Sequence, residues 1–181
     1  QFTQQLTKHA LNAGVKFIFD TEIKNIHLAD GQINHLEALS LDGSITKITG
    51  DSYVVAAGSY SSQMLRKIGI RLPIYPAKGY SVTLPLTDDD IAPSISITDE
   101  AHKLVFSRFG DRLRIAGTAE LTGYDTSINQ QRCSAILKRT AKLFPLAGRA
   151  EEAQLWSGLR PATPNNMPLI GATRYPNLFL N

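Results

Sequence analysis

The segment Asp51-Ser52-Tyr53-Val54-Val55-Ala56-Ala57-Gly58 has, after its first two residues, no charged or strongly polar position. A strand with one face in water alternates polar and apolar residues, whereas a strand covered on both faces does not. The segment therefore predicts a buried strand of a parallel sheet. Its end shrinks to Ala-Ala-Gly, which either lets a bound molecule approach the backbone closely or serves tight packing of a helix on the strand.

Before this segment, the sequence predicts one helix and four strands. Apolar residues recur at helical spacing from Phe2 to Ala13, and Gly14 is placed to end that helix. Asp42-Gly43, between two strand-like runs, predicts a hairpin with a type I′ turn, which needs positive φ at both central residues. The predicted strands are Val15–Phe19, Glu22–Leu28, Ile33–Leu41 and Ser44–Thr49.

A proline-bounded crossing from Leu72 to Gly79 predicts a domain boundary. Beyond it the pattern indicates an antiparallel sheet and one helix, with Asn129 as the N-cap. We expect Cys133 to be buried and unreactive because it shares the apolar face of that helix. That face comprises Cys133, Ile136, Leu137, Ala141 and Phe144. The predicted strands are Tyr80–Leu84, Ser94–Thr98, Lys103–Arg108 and Leu113–Gly117, with a hairpin loop over Phe109–Arg112.

Near the C-terminal end, Arg160 stands in a segment with prolines at positions 161, 164 and 168. Because proline fixes φ and removes a hydrogen-bond donor, we expect a rigid loop here, and neither a helix nor a central strand. A guanidinium held at a fixed angle can bind a carboxylate through two parallel hydrogen bonds. The alternative is an exposed arginine in a surface turn.

Composition and motif spacing argue against several classes of function. The net charge of +3 is spread out, without the run of like charges that a nucleic-acid surface needs. The single cysteine excludes an internal disulfide framework, and four histidines without ligand spacing argue against a zinc site. No two of the 13 glycines stand two residues apart, so the sequence contains neither a dinucleotide fingerprint nor a P-loop.

Four segments, in this order, resemble the FAD-dependent D-amino acid oxidase superfamily. They are Tyr53–Ser61, Leu72–Ser81, Arg114–Asp125 and Trp156–Gly171. The likeness covers essentially all 181 residues and is greatest to the small subunits of bacterial D-amino acid dehydrogenases. Members open with a βαβ unit carrying G-x-G-x-x-G and close with a glycine-rich segment, and this sequence contains neither. The resemblance therefore implies an internal fragment of a longer enzyme.

The resemblance implies an α+β fold in three stretches of chain. Residues 1–73 would form part of an FAD-binding α/β domain with a β-hairpin insertion. Residues 74–159 would form an antiparallel-sheet substrate domain of the D-amino acid oxidase type, and residues 160–181 would return to the FAD domain. Because the phosphate-binding ends are missing, we expect the fragment alone to hold no FAD. Its unpaired strand edges would favour self-association.

The resemblance also implies which residues contact the substrate and the cofactor. Arg160 corresponds to the arginine that binds the substrate carboxylate. Tyr124 would offer its hydroxyl to the same carboxylate, or else be a core or loop tyrosine. Lys78 lies at the domain crossing, where it would line the substrate pocket or serve as a solvated linker lysine. The positions implied to contact FAD are Ile23, by its backbone at the adenine, Ala57 and Gly58. No residue is assigned a metal-binding or acid–base role.

The implied reaction is FAD-dependent oxidative deamination of D-amino acids to 2-oxo acids and ammonia, by hydride transfer to the flavin. Electrons would pass to a quinone chain, which places the enzyme in the cytoplasm or on the cytoplasmic face of the inner membrane. Two alternatives stay open: a glycine- or sarcosine-type oxidase that uses oxygen and, for the fragment alone, a non-catalytic interaction domain. The lack of a basic patch argues against a third, a flavin-dependent tRNA-modifying enzyme.

Overall fold

The computed structural model describes residues 2–181, and these divide into two compact units. The first unit contains residues up to Ala56 together with Ser61–Leu72 and Pro168–Asn181. The second contains Ala57–Tyr60 and Pro73–Met167. The chain thus leaves the second unit after Met167, later than the return predicted at residue 160, because a strand of the second unit continues through Ala162.

Three α-helices and eleven strands make up the described chain. None of the helices within residues 2–181 is long and apolar enough to cross a membrane. In chain order the elements are α1 (Phe2–Asn12), β1 (Thr21–Ala29), β2 (Gln32–Ser40), β3 (Ile45–Ile48), β4 (Tyr53–Val55), α2 (Ser61–Arg66), β5 (Tyr75–Pro85), β6 (Ile97–Asp99), β7 (Leu104–Phe109), β8 (Arg112–Glu120), α3 (Gln130–Leu143), β9 (Gln154–Ala162), β10 (Gly171–Ala172) and β11 (Leu178–Leu180). Short 3-10 turns span Gly58–Tyr60 and Ala150–Glu152.

The first unit contains two three-stranded sheets, one with the order β1-β2-β3 and one with the order β10-β11-β4. The parallel pairing predicted around residue 53 is confirmed, since Tyr53 lies opposite Leu178 and both strands run in the same direction. Tyr53 and Val55 are buried. Val54 between them is 63% exposed, so this strand is covered on one face only.

Two Asp-Gly pairs form different turns in the first unit. Asp30 and Gly31 join β1 to β2 with φ of 51° and 73°, the pattern of a type I′ turn. At Asp42-Gly43 only the glycine has positive φ, 84°, and its N–H donates to the carbonyl of Ser40 at 3.0 Å. The hairpin predicted there is confirmed, but its loop has three residues and ends in a left-handed glycine.

The end of α1 follows the sequence prediction, whereas the segment after it does not. Gly14 has φ of 87°, and the Val15 N–H donates to the carbonyl of Ala10 at 3.0 Å, as in a Schellman cap. The strand predicted over Val15–Phe19 is wrong. A strand needs the hydrogen bonds of a neighbour, and none of the described strands pairs with this segment.

The second unit is an antiparallel sheet with α3 packed on one face. The strand order is β6-β7-β8-β5-β9, which makes β9 an edge strand. We call the face that packs against α3 the inner face and the opposite one the open face. The inner-face core comprises Tyr80, Val82, Leu84, Leu86, Leu104, Phe106, Leu113, Ile115, Cys133, Ile136 and Ala147.

The helix α3 has the N-cap predicted from the sequence. The Asn129 side chain accepts hydrogen bonds from the N–H groups of Gln131 and Arg132. Cys133 is buried as expected, and burial raises the pKa of its thiol. Ala141 was placed on the core face wrongly: it is exposed, and Thr140 is buried there because it satisfies its hydroxyl on the Ile136 carbonyl at 2.8 Å.

Candidate functional site

Small residues line the middle of the open face of the second unit's sheet. The register pairs Gly79 with Gly158 and Ala119, and paired residues in neighbouring strands share a face. A Cβ added at Gly79 would meet no heavy atom within 4 Å. An open cavity of about 700 Å³ lies above Gly79 and Ala119, and Ser81, Arg114, Ala116 and Trp156 also line it. The open face therefore offers a shallow floor on which a flat molecule can rest.

Arg160 lies on this open face, opposite Ala77 in the β5–β9 pair. The loop predicted for this segment begins later than expected, because β9 is an edge strand and an edge tolerates Pro161. The turn itself follows, where Asn166 has φ of 59° and its N–H donates to the carbonyl of Thr163. Arg160 is exposed, and its guanidinium forms no salt bridge or hydrogen bond with any residue between 2 and 181.

Trp156 lies four residues before Arg160 in β9, on the same face of the strand. A Cβ at Gly158 would stand 2.2 Å from the indole, so the ring lies across the space that Gly158 leaves. The Arg114 guanidinium carbon is 5.5 Å from the centre of the indole. Sequence analysis did not assign Trp156, Arg114 or Ser81, although strand alternation from Arg160 would have placed Trp156 on the same face.

Tyr124 lies in the irregular segment after β8 and contacts the 3-10 turn that begins at Gly58. Its hydroxyl donates to the carbonyl of Ser59 at 2.9 Å, and its ring centre is 5.6 Å from that of Tyr60. Gly58 is exposed with φ of 56°, and a Cβ there would be 3.9 Å from the Pro161 ring. The second unit therefore brings Ala57, Gly58 and Tyr124 to the edge of the sheet that carries Arg160.

These contacts separate the two explanations for the small residues at Ala57-Gly58. Tight packing would require a clash at the missing Cβ of Gly58, whereas 3.9 Å is an ordinary contact distance. The left-handed conformation is what favours glycine here, because other residues seldom adopt it. No group among residues 2–181 therefore packs closely enough on Gly58 to require glycine there, and its backbone is exposed.

Lys78 occupies a different place from the one expected of a linker lysine. Its side chain is 1% exposed, and its ammonium donates to Asp125 Oδ2 at 3.0 Å and to the carbonyl of Ser127 at 2.9 Å. Burial alone would lower the pKa of Lys78, but its hydrogen bonding with Asp125, Tyr80 and Glu120, in which the ammonium donates to the carboxylates, raises it above its ordinary value. The solvated-linker alternative is therefore wrong. Since neighbouring residues of a strand point to opposite faces, Lys78 and Arg160 lie on opposite faces of the sheet.

An extra residue in β8 completes the surroundings of Lys78. Gly79 pairs with Ala119 and Tyr80 with Gly117, so Thr118 is a bulge, with φ of 55°. The bulge reverses the alternation of β8 and turns Glu120 to the inner face. There Glu120 accepts the hydroxyl hydrogen of Tyr80 and lies 3.4 Å from the Lys78 ammonium. The Tyr80 hydrogen bond lowers the pKa of Glu120, and burial raises the pKa of Tyr80.

Ile23 belongs to the first unit, in the edge strand β1. It pairs with Ala38, and the register shifts immediately after it. An edge strand keeps backbone groups unpaired on its outer side, which is the kind of group that a base such as adenine can contact.

No histidine, cysteine, aspartate or glutamate cluster that could hold a metal ion occurs among residues 2–181. His27 and His35 do meet, across β1 and β2, but their rings stack in parallel with centres 4.3 Å apart.

Comparison with known proteins identifies a protein family and a similar protein of known name. A family model described as "DAO: FAD dependent oxidoreductase" matches residues 1–181. A D-amino acid dehydrogenase of Dechloromonas aromatica (strain RCB) is 50% identical over 181 residues, which are 100% of this chain and 43% of that protein. The chain thus spans less than half the length of this curated relative.

Solved structures share the fold at lower identity. A glycine oxidase from Bacillus cereus ATCC 14579 has a TM-score of 0.76 at 22% identity, over 98% of this chain and 48% of that one. An iminodiacetate oxidase from Chelativorans sp. BNC1 has a TM-score of 0.74 at 24% identity, over 96% of this chain and 46% of that one. The predicted α+β fold of the D-amino acid oxidase type is therefore confirmed. Since the family model matches this chain over residues 1–181, the chain belongs to the DAO family of FAD-dependent oxidoreductases.

Proposed function

We propose that this chain is part of an FAD-dependent dehydrogenase that oxidises D-amino acids to 2-oxo acids with release of ammonia. The 50% identical relative bears the name of such an enzyme. The observation that carries the proposal is Arg160, an exposed guanidinium without a partner among residues 2–181, beside a floor of small residues. A planar fork of this kind suits the one group that all amino acids share, the α-carboxylate.

Arg160 has two tasks in this proposal. It binds the carboxylate, and through it sets the direction in which the α-carbon presents its hydrogen. Because β9 is paired along its length with β5, the guanidinium is carried by a regular strand and not by a mobile loop. A reactant that is bound in one orientation has already lost its rotational entropy, so this cost no longer adds to the barrier of the reaction. Trp156 limits the space on the neighbouring side of the floor.

The residues present fit an FAD molecule held partly by this chain. Gly58 keeps an exposed backbone because no neighbouring group occupies the space of its missing side chain. With Ala57 it would contact the cofactor, and Ile23 would do so through the backbone of an edge strand. When bound, FAD supplies the two-electron oxidation chemistry. The sequence holds no glycine-rich phosphate-binding motif, so we propose that phosphate contacts come from elsewhere in the complete protein.

Tyr124 would assist Arg160 at the carboxylate, and its present hydrogen bond limits how. The hydroxyl hydrogen points to the Ser59 carbonyl at 2.9 Å, which leaves only acceptor lone pairs for a ligand. A carboxylate offers no hydrogen to those lone pairs. Tyr124 can therefore bind the carboxylate only when its hydrogen turns away from Ser59, so its contribution should be smaller than that of Arg160.

The proposal is tested by replacing Arg160 in the complete protein. We expect Arg160→Ala to raise KM for D-amino acids strongly and to lower kcat, because both binding and orientation are lost. Arg160→Lys should recover part of the affinity, since lysine keeps the charge but not the fork. Arg149→Ala is the matched control, because Arg149 is exposed and pairs with Glu152 in the second unit. Near-normal kinetics of Arg160→Ala would remove it from the site.

The electron acceptor is a separate part of the proposal. We propose a quinone chain, by analogy with the relative's name as a dehydrogenase. Stopped-flow mixing of the substrate-reduced complete protein with a soluble quinone analogue should restore the oxidised flavin absorbance quickly, and mixing with oxygen only slowly. Fast reoxidation by oxygen would favour the oxidase alternative.

A further inference from the structure

The segment Leu121–Ile128, which we call the tyrosine loop, has no helix or strand and is held by side chains. The N–H of Gly123 donates to the Tyr75 hydroxyl at 3.2 Å, and the Ser157 hydroxyl donates to the carbonyl of Thr126 at 2.6 Å. Tyr124 itself donates to Ser59. A loop without backbone pairing keeps one conformation only through contacts of this type.

Lys78 makes the charged contact with this loop, from the buried side. Two of its three ammonium hydrogens go to Asp125 and to the carbonyl of Ser127, the residues just after Tyr124. Asp125 also accepts the N–H and the hydroxyl of Ser127, both at 2.8 Å, so the same carboxylate closes a turn and binds the lysine. A buried ammonium must keep such partners, because leaving it unpaired is costly.

Lys78 also contacts the neighbouring strand β8, which is linked in turn to α3. The Thr118 bulge brings Glu120 beside the ammonium, and Arg132 of α3 lies 3.3 Å from the other oxygen of Glu120. Lys78 is thus connected to β8 and α3 on one side and to the tyrosine loop on the other. Its side chain is buried on the inner face, opposite to the open face where Arg160 lies.

We propose that Lys78 is a positioning residue for the substrate site. It does not touch the substrate, and through Asp125 and Ser127 it holds the tyrosine loop, so that the Tyr124 hydroxyl has only to turn its hydrogen from the Ser59 carbonyl to the carboxylate. The inference rests on the proposed function, because it takes Tyr124 as a substrate contact. It replaces the direct substrate contact that the sequence implied for Lys78.

The test is a double-mutant cycle in the complete protein, with KM and kcat measured for a D-amino acid. Coupling between side chains of one network spans about twofold to a hundredfold in affinity. We expect Lys78→Met and Asp125→Asn each to raise KM about tenfold and to change kcat less than about twofold. This pattern results when the lost interaction bound the ground state and the transition state equally well. Tyr124→Phe should raise KM in the unmodified protein and add nothing to either variant. Asp125 is half exposed and Lys78 is buried, so Asp125→Asn is the variant that tests the contact without changing the core.

Hydrogen exchange of the tyrosine loop gives a readout independent of activity. The amides of residues 121–128 should exchange faster in Lys78→Met and Asp125→Asn. Their exchange rates should stay the same in the control Lys138→Met, which removes an exposed lysine of α3. Additive KM effects or unchanged exchange would overturn the inference. If Tyr124→Phe alone leaves KM unchanged, the inference fails while Arg160 keeps its role. If the unmodified protein oxidises no D-amino acid, both fail.

Discussion

At the scale of single residues, Gly158 decides where the indole of Trp156 lies. The ring covers the position that a side chain at 158 would occupy, and it is half exposed on the open face. Because the atoms in conflict belong to the far end of a side chain, a methyl group at 158 would push the indole aside without disturbing the strand. Gly158 and Trp156 therefore place an indole that can be displaced on the same face as Arg160.

We expect Gly158→Ala to change the fluorescence of the protein with little loss of stability. Trp156 is the single tryptophan in the sequence, so the emission comes from this position. Moving the ring away from Gly158 and from the Arg114 guanidinium exposes it to water, and its emission maximum should shift to longer wavelength. Gly79→Ala is the control on the same face, since a Cβ there meets nothing within 4 Å. An equal shift in both variants would show that the indole does not depend on Gly158.

At the scale of elements, local signals predicted those structures that depend on local chemistry. Asn129 caps α3 and Gly14 ends α1, because each is set by a few neighbouring residues. Asp42-Gly43 forms a hairpin of another turn type, and the type I′ turn is at Asp30-Gly31, where the sequence had not predicted one. Asp-Gly is compatible with both a two-residue and a three-residue hairpin loop, and the register of the flanking strands determines which one forms.

Elements that depend on distant partners were less predictable. Val15–Phe19 has strand composition but no pairing strand among the described residues, and Arg160-Pro161 extends an edge strand in spite of the proline. The Thr118 bulge has no sequence signature, because threonine seldom adopts positive φ. Yet that bulge brings Glu120 to Lys78. The position of Arg160, the residue proposed to bind the carboxylate, could thus be singled out from sequence, whereas the buried network behind the tyrosine loop could not.

At the scale of the whole molecule, the carboxyl groups with lowered pKa are unevenly distributed. Among the described residues, Asp90, Asp99, Glu120 and Asp125 lie in the second unit and Asp42 in the first. The hydrogen bond from Arg139 lowers the pKa of Asp99 to about 2, and the backbone N–H of Ser127 lowers that of Asp125 to about 2. The second unit thus carries four of these five carboxyl groups.

We therefore expect the second unit to lose stability as the pH falls from about 5 to about 2. An aspartate in the unfolded chain takes up its proton near pH 3.9, while Asp99 in the folded unit stays charged down to about 2. Its ion pair thus stabilises the fold fully above pH 4 to 5, and this contribution disappears as the pH falls through the folded pKa. The midpoint of urea unfolding, followed by Trp156 fluorescence, should decrease over this range.

Asp99→Asn should lower the midpoint at pH 7 and flatten its pH dependence, whereas Asp89→Asn, at an exposed position, should keep the original slope. An unchanged slope in Asp99→Asn would mean that the Arg139 pair does not account for the acid sensitivity.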